Sequence, residues 1–234
     1  MKKILRKVKR YIKYMQGKDF LWQKQIKLNA VTHGGGSGYG GWDIIEKHID
    51  AESVVYSFGV GEDASFDLSL IDKFGLTVYA FDPTPKSISW VKSQNFSENF
   101  KMHGYGLAAF DGFVSFNPPS NPDHVSHTIL DRVETKGKSI EVEVKKLKTI
   151  MDEIGHKKID LLKMDIEGAE YQVIDDIIKS DIRPDQLLIE FHHRFSSVGI
   201  EKSKAAIEAL NNAGYLVFSV SDNGEEYSFI YQKE

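Results

Sequence analysis

The sequence predicts an α/β fold, a mostly parallel sheet with helices on both faces, ended by a C-terminal antiparallel hairpin. Three observations predict it. Short apolar runs recur, each stopped by a glycine or an acid and followed by a helical pattern, the rhythm of strand–helix–strand units. The run Leu161-Leu162-Lys163-Met164 is largely apolar without alternation, as expected of a parallel strand covered on both sides. Finally, residues 215–220 and 227–231 flank Asp222-Asn223-Gly224-Glu225, a turn signal between antiparallel neighbours. A chain of 234 residues then divides into one domain, residues 51–234, and an extension, residues 1–50.

The extension opens with Ile4, Leu5, Val8, Tyr11, Ile12 and Met15 on one helical face and Lys2, Lys3, Arg6, Lys7, Lys9, Arg10 and Lys13 on the rest. Such a basic amphipathic helix packs its apolar face on its own domain, the first expectation, or lies on an anionic membrane. His33-Gly34-Gly35-Gly36-Ser37-Gly38-Tyr39-Gly40-Gly41-Trp42 follows. So many glycines form neither helix nor strand, leaving a connector or a flap that carries Tyr39 and Trp42 over a ligand.

In the domain, the strand 53–58 runs straight into Gly59-Val60-Gly61-Glu62-Asp63. A helix marked by Phe66, Leu70, Ile71 and Phe74 follows, ended by Gly75. The strand 77–81 stops at Asp82; Thr84 and Pro85 then make an N-cap and first turn. Strand, glycine turn, helix, strand and acid form a unit that binds an adenosine cofactor. Its glycines admit the ligand to the backbone, and its acid meets the ribose hydroxyls. Residues 100–108 read as a strand pairing back with 113–116 through an Asp111-Gly112 hairpin, and Ile140–Val144 alternates as a half-exposed strand. After Met164, Asp165 is placed to cap a helix that buries Ala169, Val173, Ile174, Ile177 and Ile178, with Glu167 and Glu170 favouring its positive end. The strand 186–193 ends in Glu190, His192 and His193, with Glu190 and His192 on one face.

Composition narrows the chemistry. There is no cysteine, which removes disulfides, thiolate metal sites and cysteine nucleophiles. Residues 1–30 carry ten basic side chains and one acid, Asp19, a balance of +9; the remainder carries twenty basic and thirty-three acidic, −13. An acidic body argues against a nucleic-acid partner. Without an apolar membrane span or signal core, the expected location is cytoplasmic, with the basic helix allowing association with the inner face of the membrane. Oligomeric state is not legible.

Two adenosine cofactors suit the front half. Gly59-Val60-Gly61-Glu62-Asp63-Ala64 fits the G-x-G-x-x-A form of an NAD(P)-dependent Rossmann oxidoreductase. The only Tyr-x-x-x-Lys spacing suited to a short-chain reductase, Tyr14 to Lys18, precedes the first strand, and a parallel sheet ending in an antiparallel hairpin resembles the Rossmann-like class I methyltransferase fold more than a dehydrogenase. Asn117-Pro118-Pro119-Ser120 is similar to the Asn-Pro-Pro of DNA amino-methyltransferases, but it lacks the following aromatic and reads as a loop.

Lys163-Met164-Asp165-Ile166-Glu167-Gly168-Ala169-Glu170 resembles the signature of the FkbM family of S-adenosylmethionine-dependent methyltransferases. The likeness extends over residues 53–231, through Phe81-Asp82-Pro83-Thr84-Pro85, Gly106-Leu107-Ala108 and Ile189-Glu190-Phe191-His192. It implies O-methylation, commonly of sugar or polyketide hydroxyls. The cofactor set expected on this reading is Ser57, Gly59, Gly61, Glu62, Asp63, Asp82, Pro83, Gly106 and Leu107. Where relatives often open the glycine loop with an acid and carry an Asn within it, this chain has Ser57 and Gly61-Glu62-Asp63, leaving the holder of the methionine end open.

A sugar or glycan hydroxyl needs a base for methyl transfer, and Asp165, Glu167, Glu190 and His192, with His193, are the candidates at two strand ends. Asp165, Glu190 and His192 alternatively hold Mg²⁺ or Mn²⁺, which acidifies the hydroxyl. Lys163, buried in its strand, is expected to pair with Glu190. A non-catalytic S-adenosylmethionine-binding scaffold is the remaining alternative.

Overall fold

A computed structural model describes residues 2–35, 41–116 and 140–232. Its elements run α1 (Lys2–Met15), β1 (Val31–His33), β2 (Trp42–Ile44), β3 (Val55–Phe58), α2 (Ser65–Phe74), β4 (Val78–Phe81), α3 (Pro85–Ser93), β5 (Phe100–His103), β6 (Gly106–Leu107), β7 (Gly112–Phe116), β8 (Ile140–Lys145), α4 (Leu147–Ile154), β9 (Leu161–Met164), α5 (Glu170–Lys179), β10 (Gln186–Glu190), α6 (Ile200–Asn212), β11 (Tyr215–Val220) and β12 (Glu226–Tyr231).

Seven strands form the central sheet in the order β5-β4-β3-β9-β10-β12-β11. β3, β4, β5, β9 and β10 pair in parallel, and β12 enters antiparallel between β10 and β11. The expected hairpin is therefore present, with its second strand inserted into the sheet. In register, Phe58 faces both Phe81 and Met164, so β3, β4 and β9 end at one level. From β3 the chain builds outward through β4 to β5 and then switches to β9 on the other side of β3, and ligand crevices in open α/β sheets form at such a point.

Both faces are buried, as the unalternating runs required. Tyr56, Phe58, Leu162, Met164, Leu187 and Ile189 pack under α4, α5 and α6; Val55, Val78, Ala80, Leu161 and Leu188 pack with Phe66, Leu70 and Ile71 of α2. Phe58 stacks on Phe81 with ring centroids 4.3 Å apart. Burying each such ring contributes about 1.5–3 kcal/mol, which holds the strand ends rigid. Gly75 closes α2 at φ 70, and Thr84 Oγ1 accepts from the Ser87 amide with Pro85 in the first turn of α3.

Several expectations change. Asp111-Gly112 does not join two paired strands: β7 pairs antiparallel with β8, whereas β6 pairs parallel with β8's far end, so the three form a separate sheet. Asp165 does not cap α5; the helix starts five residues later after Ala169, and no side chain caps it. Ahead of residue 50 the chain does not form a loose connector throughout. Phe20, Trp42, Ile44, Ile45 and Ile49 are buried, and Gln186 both donates to the Ile45 carbonyl and accepts from its amide. Of the glycine stretch, residues 36–40, with Tyr39, lie outside the described residues, as does Asn117-Pro118-Pro119-Ser120.

The N-terminal helix also departs from its first expectation. Leu5, Val8, Tyr11, Ile12 and Met15 are all exposed, so the apolar face does not pack on the domain.

Candidate active site

A cavity of about 330 Å³ lies at the ends of β3, β4, β9 and β10. Its walls include Gly59, Gly61, Glu62, Asp63, Asp82, Pro83, Gly106 and Leu107 on one side and Asp165, Glu167 and Glu190 on another. Ser57 and His192 are not in the wall: Ser57 is fully buried behind it, and His192 stands behind the acids.

Gly59 is where the two halves meet. At φ +85 it adopts a conformation that L side chains rarely do, and a Cβ there would lie 2.0 Å from the Asp165 carbonyl oxygen. The Asp165 amide in turn donates to the Phe58 carbonyl at 3.1 Å. The glycine turn and the acidic loop are thus in backbone contact. Next along, Asp82 accepts from the Gly61 amide at 2.9 Å through Oδ2 and from the Thr84 amide and hydroxyl at 2.9 and 2.7 Å through Oδ1. Of the roughly four lone-pair directions of a carboxylate, about one remains for a ligand hydroxyl. Asp63 accepts from the Ser65 amide at 2.8 Å, and Glu62 pairs with Lys86 at 3.1 Å.

The acidic loop is shaped by Glu167, at φ 52, and Gly168, at φ 106. Glu170, fully buried, accepts from the Gly168 amide at 2.8 Å, from the His192 amide at 3.0 Å and from His192 Nδ1 at 3.1 Å. Because a carboxylate only accepts, Nδ1 carries the proton, and Nε2 is turned toward Glu167 Oε2 at 3.5 Å and Asp165 Oδ1 at 3.8 Å. Burial acts to lower the His192 pKa, but the Glu170 hydrogen bond and charge, with Glu167 and Asp165, outweigh it and leave it well above the ordinary value. Glu190 is driven the same way, first by burial and then by Asp165. Glu226, opposite Glu190 in the antiparallel register, is also pushed up by burial. Asp165, Glu190 and His192 each offer a ligand atom within 4.8 Å of the others. Two carboxylates and an imidazole oriented by a third carboxylate fit a hard divalent cation.

Two expected partners differ. His193 does not join this group; its Nε2 faces Asp19 at 3.2 Å, buried with Arg194. Lys163 does not pair with Glu190. Its ammonium donates to the carbonyls of Phe58 and Gly59 at 3.2 and 2.9 Å, so backbone oxygens at the end of β3 satisfy it.

Trp42, expected over a ligand on a flap, does line the cavity, but buried in β2; Phe66, Asp67 and Lys163, not anticipated there, line it as well. Asp67 is 2% exposed, its Oδ1 has no hydrogen-bond partner among the described residues, and burial raises its pKa against the pull of Lys163. Ser57, the register partner of Lys163, pulls the Asp67 pKa the same way as that lysine through its hydroxyl. The signal for Asp67 was present in the pattern: it stands three and four residues before Leu70 and Ile71, on the buried face of α2, where an acid is rarely found without a partner. Glu226 carried no such signal, since its place depends on β12 entering beside β10.

A largely parallel sheet with an inserted antiparallel strand, whose first glycine turn and second-strand acid open on one cavity, is the architecture of the class I S-adenosylmethionine-dependent methyltransferases. Comparison with known proteins agrees. A family model described as the methyltransferase FkbM domain matches residues 50–217. The chain belongs to the FkbM methyltransferase family. Similar curated proteins are the "probable methyltransferase-like protein 24" of Homo sapiens, 28% identical over 159 residues, and that of Rattus norvegicus, 27% identical over 156. Each match covers 65% of this chain and 36% of the relative, so the chain spans little more than a third of those proteins' length. The solved structure of methyltransferase FkbM from Methylobacillus flagellatus KT aligns with a TM-score of 0.50 at 15% identity, over 78% of this chain and 44% of that one, a likeness of fold.

Proposed function

We propose that this domain transfers a methyl group from S-adenosylmethionine to a hydroxyl of a sugar or glycan. The observation that carries the reading is the contact of Gly59 with the Asp165 backbone, which makes the cofactor turn and the acid cluster walls of one cavity. S-adenosylmethionine supplies a methyl group on a sulfonium, open to in-line displacement. The protein's work is then to align the acceptor and to take its proton.

The methionine end is assigned to Asp67 and Lys163, an acid and a cation at one end of the cavity that match an ammonium and a carboxylate. Asp67 thereby supplies, from a helix, the acid that Ser57 does not supply from the strand. Asp82 and the Gly61 turn take the ribose hydroxyls. Glu190 serves as base: it faces the cavity, and its raised pKa makes it a stronger proton acceptor than an ordinary carboxylate. His192, held by Glu170, keeps a positive charge beside Glu190, Glu167 and Asp165 and so sustains the ionised base. Acidic walls favour a neutral polyhydroxyl acceptor and disfavour a polyanion such as nucleic acid. Transfer assayed over a glycan panel with labelled S-adenosylmethionine tests the reading, with Glu190→Gln as the control that retains cofactor binding.

A second reading concerns the same three residues. The 4.8 Å grouping of Asp165, Glu190 and His192 favours a bound Mg²⁺ or Mn²⁺. Held there, the cation would lower the acceptor hydroxyl's pKa. Activity that survives exhaustive EDTA dialysis would leave the protein base alone.

A further inference from the structure

α1 is docked the wrong way round for a helix of a water-soluble domain. An amphipathic surface helix turns its apolar stripe to the core and its charges to water. Here Leu5, Val8, Tyr11, Ile12 and Met15 are 49–67% exposed, and the contact with the body is made from the basic side. Arg10 projects about 160° from both Val8 and Ile12 at 3.6 residues per turn. Its guanidinium donates to the Phe20 carbonyl at 3.0 Å and the Ser221 carbonyl at 3.4 Å, and lies 3.8 Å from the buried carboxylate of Asp19. Lys7 pairs with Asp222 at 3.5 Å. The guanidinium lies so close to Gly224 that a Cβ there would meet its Nε at 2.1 Å. Fixing the helix by Arg10 forces the apolar stripe away from the protein.

We propose that this face is a docking surface for an anionic lipid bilayer. The helix carries no acidic residue, and lysines and arginines flank the stripe on both sides. An apolar stripe with a cationic border matches acyl chains beneath anionic headgroups. A second copy of the same helix matches less well, because it would bring the two cationic borders together. The turn that receives Arg10 continues directly into Glu226 in the cavity wall, so the lipid-facing helix and the cavity share a rim. On the methyl-transfer reading, on which this last step rests, the acceptor class is a lipid-borne hydroxyl compound.

The test uses the full chain and vesicles of phosphatidylcholine with or without an equal part of phosphatidylglycerol. Wild type is expected to co-sediment with the anionic vesicles, less so as salt is raised, and weakly with neutral ones. Val8→Glu/Ile12→Glu, at two exposed positions that leave the core untouched, is expected to lower binding by about tenfold or more. S-adenosylhomocysteine affinity, measured in parallel, should be unchanged, so the membrane claim and the cofactor claim fail separately. Wild type that stays in the supernatant, or a double variant that sediments equally well, overturns the proposal. So does a dimer that the double variant dissociates while neither protein binds vesicles, which assigns the face to a second copy.

Discussion

Glu170 and His192 are joined twice: one carboxylate oxygen of Glu170 takes both the backbone amide and the Nδ1 proton of His192, at 3.0 and 3.1 Å. Its other oxygen holds the Gly168 amide at 2.8 Å, so a single buried side chain ties the loop after β9 to the end of β10. Glu170→Gln is expected to cost about 2–3 kcal/mol, since charge-assisted hydrogen bonds to a buried group are lost. The His192 pKa should fall from well above 6.5 toward or below it. Urea denaturation and NMR titration of the imidazole check the two effects.

The same pair sets a pH window for stability. His192 has a folded pKa raised above 6.5, so its contribution is full below 6.5 and is lost as pH rises through the folded value. Glu190, also raised, acts in that direction from 4.5 upward. Glu170 is lowered by its His192 contacts despite burial, so its contribution holds above 4.5 and is lost as pH falls through its folded value. Urea midpoints should therefore decline on both flanks, and His192→Gln should remove most of the decline on the alkaline side.

Glu190→Gln should leave S-adenosylmethionine affinity within about twofold and reduce turnover by roughly 10²–10⁴, the usual contribution of a positioned base. In wild type the rate should rise with pH through a midpoint well above 4.5, as Glu190 loses its proton, and that limb should vanish in the variant. Steady-state kinetics across pH, with calorimetry for binding, separates the two.

Asp67→Asn should move stability and binding in opposite directions. Removing a buried carboxylate relieves its desolvation, so the fold should be as stable as wild type or more so. If Asp67 meets the cofactor's ammonium, affinity should drop about tenfold, some 1.4 kcal/mol. A loss of both would point to a structural role for Asp67.

Gly59→Ala should be the most damaging small change at the site. Its Cβ would meet the Asp165 carbonyl at 2.0 Å from a φ of +85, so β3 and β9 must move apart. A loss of about 3 kcal/mol or more is expected by chemical denaturation, with cofactor binding lost in whatever folds.

Much of this was legible along the chain because it is local. Gly59, Gly61 and Asp82 follow their own strands, and Glu190 and His192 share a face by parity alone. What was not legible, the place of Glu226 and the partner of Lys163, depends on long-range registers. Glu226 meets Glu190 only because β12 inserts beside β10. Lys163 finds carbonyls of β3 in place of an acid because its neighbour on that side is Ser57. Asp165 looked like a cap because acids before a helix usually are; here the loop needs five residues, two at positive φ, to turn its carboxylate toward His192. Asp67 could have been noticed from its place on an otherwise apolar face of α2.

The most direct test is a crystal structure with S-adenosylhomocysteine bound. The adenosine should lie between Gly61, Asp82 and Leu107 and the amino-acid end against Asp67 and Lys163. The sulfur should face Glu190, with room for an acceptor oxygen about 3–3.5 Å from the transferred methyl. A ligand whose sulfur faced away from Asp165 and Glu190, or one seated outside this cavity, would contradict the proposed site.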